Sequence, residues 1–290
     1  VGFVAINNWD EYRGLLRDAG LLPLIGALAL AILGHFLNTV IAHRSLQVDG
    51  SQIRLRSVYR INSVGGLAKF IPGGVWQIGS QYGMGKTEGL GFRHSMLAWI
   101  EPTAFNVTVG AGLACFAATT VGYGIPIPLL LVGGTLALVA STNPVRYWIY
   151  RLIRLIPPNQ SPPSAFAGWP SRFGLTVVII ATTGLGGLLI ITAFGLPSPG
   201  FAGSVAAFVG SWVIGVLVFP IPGGLGVREG ALVIALSPWM SGPEAVLVAT
   251  AGRLVAIAAE LLAAMLGAAI RPGELEWGQG QSRSGASTDG

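Results

Sequence analysis

Phe70-Ile71-Pro72-Gly73-Gly74-Val75-Trp76-Gln77 and Phe219-Pro220-Ile221-Pro222-Gly223-Gly224-Leu225-Gly226-Val227-Arg228-Glu229-Gly230 hold the same tetrapeptide, IPGG, 150 residues apart (221 minus 71). Each copy lies inside a long apolar stretch. Proline removes a backbone donor and Gly-Gly permits a sharp reversal, so each copy is expected to end one short helix and begin another. Broken backbone at membrane depth leaves N–H and C=O groups that hydrocarbon does not tolerate, so both tips must meet protein or a wet cavity.

Working outward, only 10% of the 290 residues are Asp, Glu, Lys or Arg and 52% are hydrophobic, against about 25% charged in a soluble domain. With a mean hydropathy of +0.67, the chain carries more apolar surface than one aqueous core hides. A soluble or disordered protein is excluded, and the expected class is an all-α polytopic membrane protein. The 43 Gly and 18 Pro suit close helix packing and broken helices.

A span needs about 20 apolar residues. The sequence places five, at 21–42, 95–120, 125–142, 173–195 and 243–270, the third short and opened by two prolines. Regions 58–85 and 201–236, each holding an IPGG, read as hairpins. Lys and Arg collect on cytoplasmic loops. Arg44, Arg54, Arg56, Arg60, Lys86, Arg93, Arg146, Arg151, Arg154, Arg172, Arg271 and Arg283 can share that side if 58–85 dips in and returns, leaving Arg13 and Arg17 outside.

Span, hairpin, span then occurs twice, in 21–142 and 173–270, with the weak third span as connector. Three crossings separate the hairpins, so they enter from opposite faces as an inverted repeat, whose broken elements typically meet near the midplane. Segment 143–172 joins the halves on the cytoplasmic side, as a basic amphipathic helix on the leaflet or a helix extension with a Pro-rich linker. Residues 1–20 read as a flank following a missing helix, since the chain opens on Val1, and 271–290 as a disordered polar tail.

Lys69, Glu101, Arg228, Glu229, Arg253 and Glu260 remain at membrane depth, where a charge is normally paired or functional. They gather around the tips, and Arg253 and Glu260, seven residues apart, share a helix face. One reading is a polar cavity at the repeat interface, in which Lys69, Arg228 and Arg253 offer positive potential to an anionic group. The N–H groups after Gly74 and Gly224 would add to it. The other is a set of packing pairs: Arg228 with Glu229, Arg253 with Glu260, Lys69 with Glu101. His35, His43 and His94 are too scattered for a metal site, and the single Cys115 forms no intramolecular disulfide. Gly79 to Thr87 misses Walker A spacing by one residue and follows no strand. Asn106-Val107-Thr108 spells a glycosylation sequon but sits mid-span.

The two IPGG motifs, with the Glu101-bearing span, resemble the flippase-like membrane domain of bacterial lysylphosphatidylglycerol synthases over roughly residues 20–270. The resemblance implies a multi-pass domain with two re-entrant elements that moves a lipid head group between leaflets of a prokaryotic inner (plasma) membrane. It also implies association with cell-envelope glycolipid pathways. Carried onto this chain, it makes Lys69, Pro72, Gly73, Gly74, Gln77, Glu101, Pro222, Gly223, Gly224, Arg228, Glu229, Arg253 and Glu260 the candidate substrate-binding residues. Two departures stand out. The aminoacyl-transferase domain of the synthases has no counterpart in these residues, so a stand-alone member without synthase activity is expected. Many relatives have Arg shortly after the first motif, where this chain has Ser80 and Gln81.

The leading expectation is a transporter, not an enzyme. It has no cofactor or metal, and its cargo is an anionic lipid head group, of the phosphatidylglycerol type or a polyprenyl-phosphate-linked sugar. The alternative is a non-transporting scaffold subunit for a cell-envelope glycosyltransferase or lipid synthase partner. Nucleic acid is not expected, and an oligomer is compatible with the sequence.

Overall fold

The computed structural model describes residues 19–48, 50–71, 76–123, 168–218 and 226–271, with the isolated positions 14, 17, 142, 148, 151 and 152. Pro72, Gly73, Gly74, Pro222, Gly223 and Gly224 lie outside the described residues, as do nearly all of span 125–142, most of segment 143–172 and nearly all of the N-terminal flank and C-terminal tail.

Every regular element among the described residues is helical. In chain order these are α1 (Leu21–Val48), α2 (Leu55–Gly66) with a 3₁₀ turn Leu67–Phe70, α3 (Trp76–Thr87), α4 (Phe92–Thr120), α5 (Trp169–Ala193), α6 (Gly200–Leu217), α7 (Val227–Leu236) and α8 (Gly242–Ala269). Helices α1, α4, α5, α6 and α8 are long and apolar enough to cross a membrane. The chain is thus a multi-pass membrane protein. Large apolar side chains such as Leu254, Leu261 and Met265 of α8 face outward, which lipid accepts and water would not.

Helix α1 runs six residues past its sequence-derived end, and α4 and α5 begin three and four residues earlier than expected. Hydropathy marks only the hydrocarbon-crossing part, while 28 residues of α1 extend about 42 Å, past the roughly 30 Å core. Arg44 therefore lies in the last turns of α1 and Arg172 in the first turn of α5. Helix α4 continues unbroken through Pro102.

The core is set by α1 and α5, which pack on each other more extensively than any other pair. They run antiparallel. The Gly20 N–H donates to the Ala193 carbonyl at 2.7 Å at one end, Gly34 faces Thr182 midway, and Ser45 meets Arg172 at the other end. Glycines allow this closeness: a Cβ on Gly187 would lie 2.4 Å from the Phe208 ring, and one on Gly184 2.3 Å from Val205. Both targets belong to a π-helical stretch of α6, Val205–Val209.

Both ends of the first broken segment lie beside the C-terminal end of α1, where Ile53, Val58 and Leu90 cluster with Leu46 and Arg60 meets Glu88 at 3.3 Å. Both ends of the second lie beside the N-terminal end of α1. There Phe194, Leu196, Leu236 and Met240 cluster with Ala19 and Leu24, and the Tyr123 hydroxyl donates to the Ala235 carbonyl.

Helix contacts also come in matched sets. The contact of α1 with α8 has its counterpart in α5 with α4, and α2 on α8 in α6 on α4. Likewise α2–α3 matches α6–α7, and α3–α4 matches α7–α8.

Candidate functional site

Helix α8 gathers the two broken segments. Lys69, in the 3₁₀ turn that closes the first inward run, reaches Glu260 at 2.5 Å. Glu229, in the first turn of α7, lies 3.8 Å from Arg253. Seven helical residues span about 10 Å, so Lys69 and Glu229, which flank the two IPGG segments, meet α8 within two turns of one another, near the middle of that helix.

The start of α7 is itself constrained. Gly226 sits at φ +84, a conformation few residues besides glycine adopt, and its N–H donates to Glu229 Oε2 at 2.8 Å. Glu229 thereby caps the helix and also balances Arg253. Its neighbour Arg228 makes no hydrogen bond or ion pair within 4 Å among the described residues, although the carboxylates of Glu229 and Glu260 act on it electrostatically. Gly215 allows the close approach, since a Cβ there would lie 3.0 Å from Arg228 Cβ.

Arg228 opens onto a cavity of about 230 Å³ lined by α1, α4, α5, α6, α7 and α8. Glu260 lies on its wall, together with His35, Asn38, Asn106, Thr182, Thr183 and Trp212. The π-helical stretch of α6 supplies Phe208 and Val209. Asn106 donates to Asn38 Oδ1 at 2.8 Å, while Asn106 Oδ1 and His35 Nε2 are buried without partners. A smaller, water-sized chamber is bordered by Arg228, Arg253 and Glu229.

The structure separates the candidate residues. Arg228 and Glu260 border the main cavity, Lys69 holds Glu260, and Arg253 and Glu229 border the smaller chamber with Arg228. Gln77, in the first turn of α3, is not on the cavity wall. Glu101 is elsewhere too: it is 3% exposed and meets Arg172 at 3.2 Å. The Arg172 guanidinium also covers the Phe105 ring at 5.0 Å and donates to the Gly168 carbonyl at 3.1 Å.

The pairs expected from sequence order therefore do not form. Lys69 takes Glu260 in place of Glu101, Arg253 takes Glu229 in place of Glu260, and Arg172, counted as a loop charge, is buried with Glu101. Helix order across the bundle, not proximity along the chain, selects the partners. Sequence reasoning also missed His35, Asn38 and Asn106. The available signal was three polar residues inside apolar spans, two of them at i and i+3 on one helix face.

A family model described as the lysylphosphatidylglycerol synthase TM region matches residues 1–264. The chain belongs to that family. The lysylphosphatidylglycerol synthase TM region is, by its description, the membrane part of those synthases, and the match spans every described helix except the final residues of α8. No curated protein matches the chain at a significant level.

Proposed function

We propose that this member of the lysylphosphatidylglycerol synthase TM-region family is a flippase-like transporter. It shields an anionic lipid head group in the cavity while the lipid's chains remain in the bilayer. The observation that carries this reading is Arg228: a guanidinium that makes no ion pair or hydrogen bond among the described residues, on the wall of a largely apolar cavity between both halves of the chain that also holds His35, Asn38, Asn106 and Glu260. A cation in that setting is expensive, and an anionic ligand relieves it.

The inverted-repeat reading accompanies this one, with halves 21–142 and 173–270 joined through the cytoplasmic segment 143–172. The antiparallel α1 and α5, the matched helix contacts and the broken segments based at opposite ends of α1 support it. So does their convergence on α8, the arrangement that alternating access around a fixed central site requires. The cavity's 230 Å³ is below the roughly 300–1,000 Å³ of pockets that hold drug-sized ligands, so it suits a head group and not a whole lipid.

The test is translocation of fluorescent anionic lipid in proteoliposomes. Hydrogen bonds to charged groups contribute about 1.5–3 kcal/mol, so Arg228→Ala is expected to slow translocation roughly 10- to 100-fold. Arg228→Lys should be intermediate, because it keeps the charge and loses the fork. Wild-type protein that moves lipid no faster than protein-free vesicles would leave the scaffold reading in its place.

A further inference from the structure

We infer that Glu260 is a proton-binding site that couples lipid movement to a pH gradient, one proton travelling with each anionic head group. The inference rests on the transport reading for the lipid, and on the ion pair that ties the first broken segment to α8 for the proton.

That pair is placed to open. Lys69 and Glu260 meet at 2.5 Å, yet their side chains are 32% and 25% exposed, whereas Arg172 and Glu101 are sealed at 1% and 4%. Glu260 is the one carboxylate on the described cavity wall, so a proton has a route to it. The neighbouring helix junction holds without the pair. The Tyr59 hydroxyl of α2 donates to the Ala263 carbonyl of α8 at 3.2 Å, and Gly267 admits Ser63 so closely that a Cβ there would lie 2.5 Å from its hydroxyl. These contacts keep α2 on α8 when the pair parts, and the 3₁₀ turn beside the first IPGG is the piece released.

The surrounding charges link the proton to the anion. Facing Glu260 are Lys69 from the turn, His35 from α1, Tyr59 from α2, Arg228 from α7 and, two turns earlier on α8, Arg253 held by Glu229. His35 shares the wall with Glu260, is acted on by both charges of the pair and has Nε2 buried without a partner; a neutral imidazole accepts the hydrogen bond that a protonated carboxyl donates. The Tyr59 ring lies edge-on to His35, 6.1 Å between centroids, and spends its proton on Ala263. With Glu260 ionised, Lys69 and Glu260 cancel, as do Arg253 and Glu229, and Arg228 leaves one excess positive charge. A proton taken from water onto a Glu260 oxygen displaces the Lys69 ammonium and raises that excess to two. In a low-dielectric setting this strengthens the attraction for an anion, and by reciprocity binding an anion favours taking up a proton. The empty protein and the protein loaded with one proton and one monoanion carry the same excess charge, so the cycle moves no net charge across the membrane.

The experiment places the full chain in liposomes with fluorescent phosphatidylglycerol and a gradient of one pH unit, protein-free vesicles under the same gradient giving the background. Wild type is expected to concentrate the lipid about tenfold in the leaflet on the alkaline side, the ratio that one proton per lipid gives per pH unit. An imposed potassium diffusion potential should not change that ratio. Glu260→Gln should bring lipid only to an even distribution, while Glu260→Asp and His35→Gln should keep the bias. An even distribution in wild type, accumulation on the acidic side, a distribution that follows the potential, or a bias kept by Glu260→Gln would overturn the inference. Loss of the bias in His35→Gln alone would also overturn it, by moving the proton to the imidazole. The wild-type arms decide even where Glu260→Gln fails to fold. A second measurement needs no transport: short-chain phosphatidylglycerol added to wild-type nanodiscs in weakly buffered solution should draw a proton from a pH dye, and Glu260→Gln nanodiscs should draw none. Proton uptake without translocation would sink the transport reading and keep the proton site; translocation with neither uptake nor bias would sink this inference alone.

Discussion

The buried ion pairs of this protein divide into those that hold helices together and those that border the cavity. Arg172 with Glu101 belongs to the first kind, being 1% and 4% exposed at the side chain and not among the residues that line the cavity. Removing one partner of a buried pair costs about 3–5 kcal/mol, because the other charge is stranded. Arg172→Ala is accordingly expected to lower the melting temperature sharply, and Arg172→Met combined with Glu101→Leu to recover most of the loss. A single variant as stable as wild type would show that the pair holds nothing. Lys69 with Glu260 belongs to the second kind and is partly exposed. In a double-mutant cycle, whatever stability Lys69→Gln loses should be restored by Glu260→Gln and not by Glu101→Gln. Restoration by the Glu101 change would contradict the observed pairing.

Among the elements, α5 and the π-helical stretch of α6 decide how closely the two halves approach. The i→i+5 stretch shifts the register of α6, bringing Val205, Phe208 and Val209 onto α5 and α4 while Trp212 reaches the cavity. Such stretches are frequent at functional sites. Because Gly187 faces the Phe208 ring with no room for a methyl group, Gly187→Ala is expected to cost about 1–3 kcal/mol by overpacking. A methyl group on Gly174, in the same helix, would meet nothing within 4 Å. Gly174→Ala should therefore leave thermal stability unchanged or slightly raised, as helix propensity alone would have it. Equal losses in both variants would mean that α5 is sensitive to its backbone and not to this contact.

For the whole molecule, the geometry implies a sidedness. The end of the bundle near Ser45 carries Arg44, Arg54, Arg56, Arg60, Lys86, Arg93 and Arg172, which the positive-inside bias assigns to the cytoplasm. Single cysteines at Gln52 and Thr87, placed in a Cys115→Ala background because Cys115 is exposed, should label from the cytoplasmic face only. Cysteines at Ser198 and Ser237 should label from the opposite face only. Labelling of Thr87 and Ser237 from one face would dismiss both the sidedness and the opposed broken segments.

The sequence by itself determined the membrane class, four of the described spans to within a few residues of each end or one to two turns, and the interruption of two apolar regions. It also singled out Arg228 and Glu260, both of which border the cavity. Those are properties of single residues and short windows: transfer free energy, the missing donor of proline, the freedom of glycine. Only the tertiary structure decided which charges pair, because Lys69 and Glu260 are 191 positions apart and Arg172 and Glu101 are 71 apart. Their meeting depends on the lateral order of helices in the bundle, which no hydropathy window contains. The same holds for His35, Asn38 and Asn106: each reads alone as an isolated polar residue in an apolar span. They become a wall only because α1, α4 and α5 close around one space, with α8 bringing Glu260 and α7 bringing Arg228 to it.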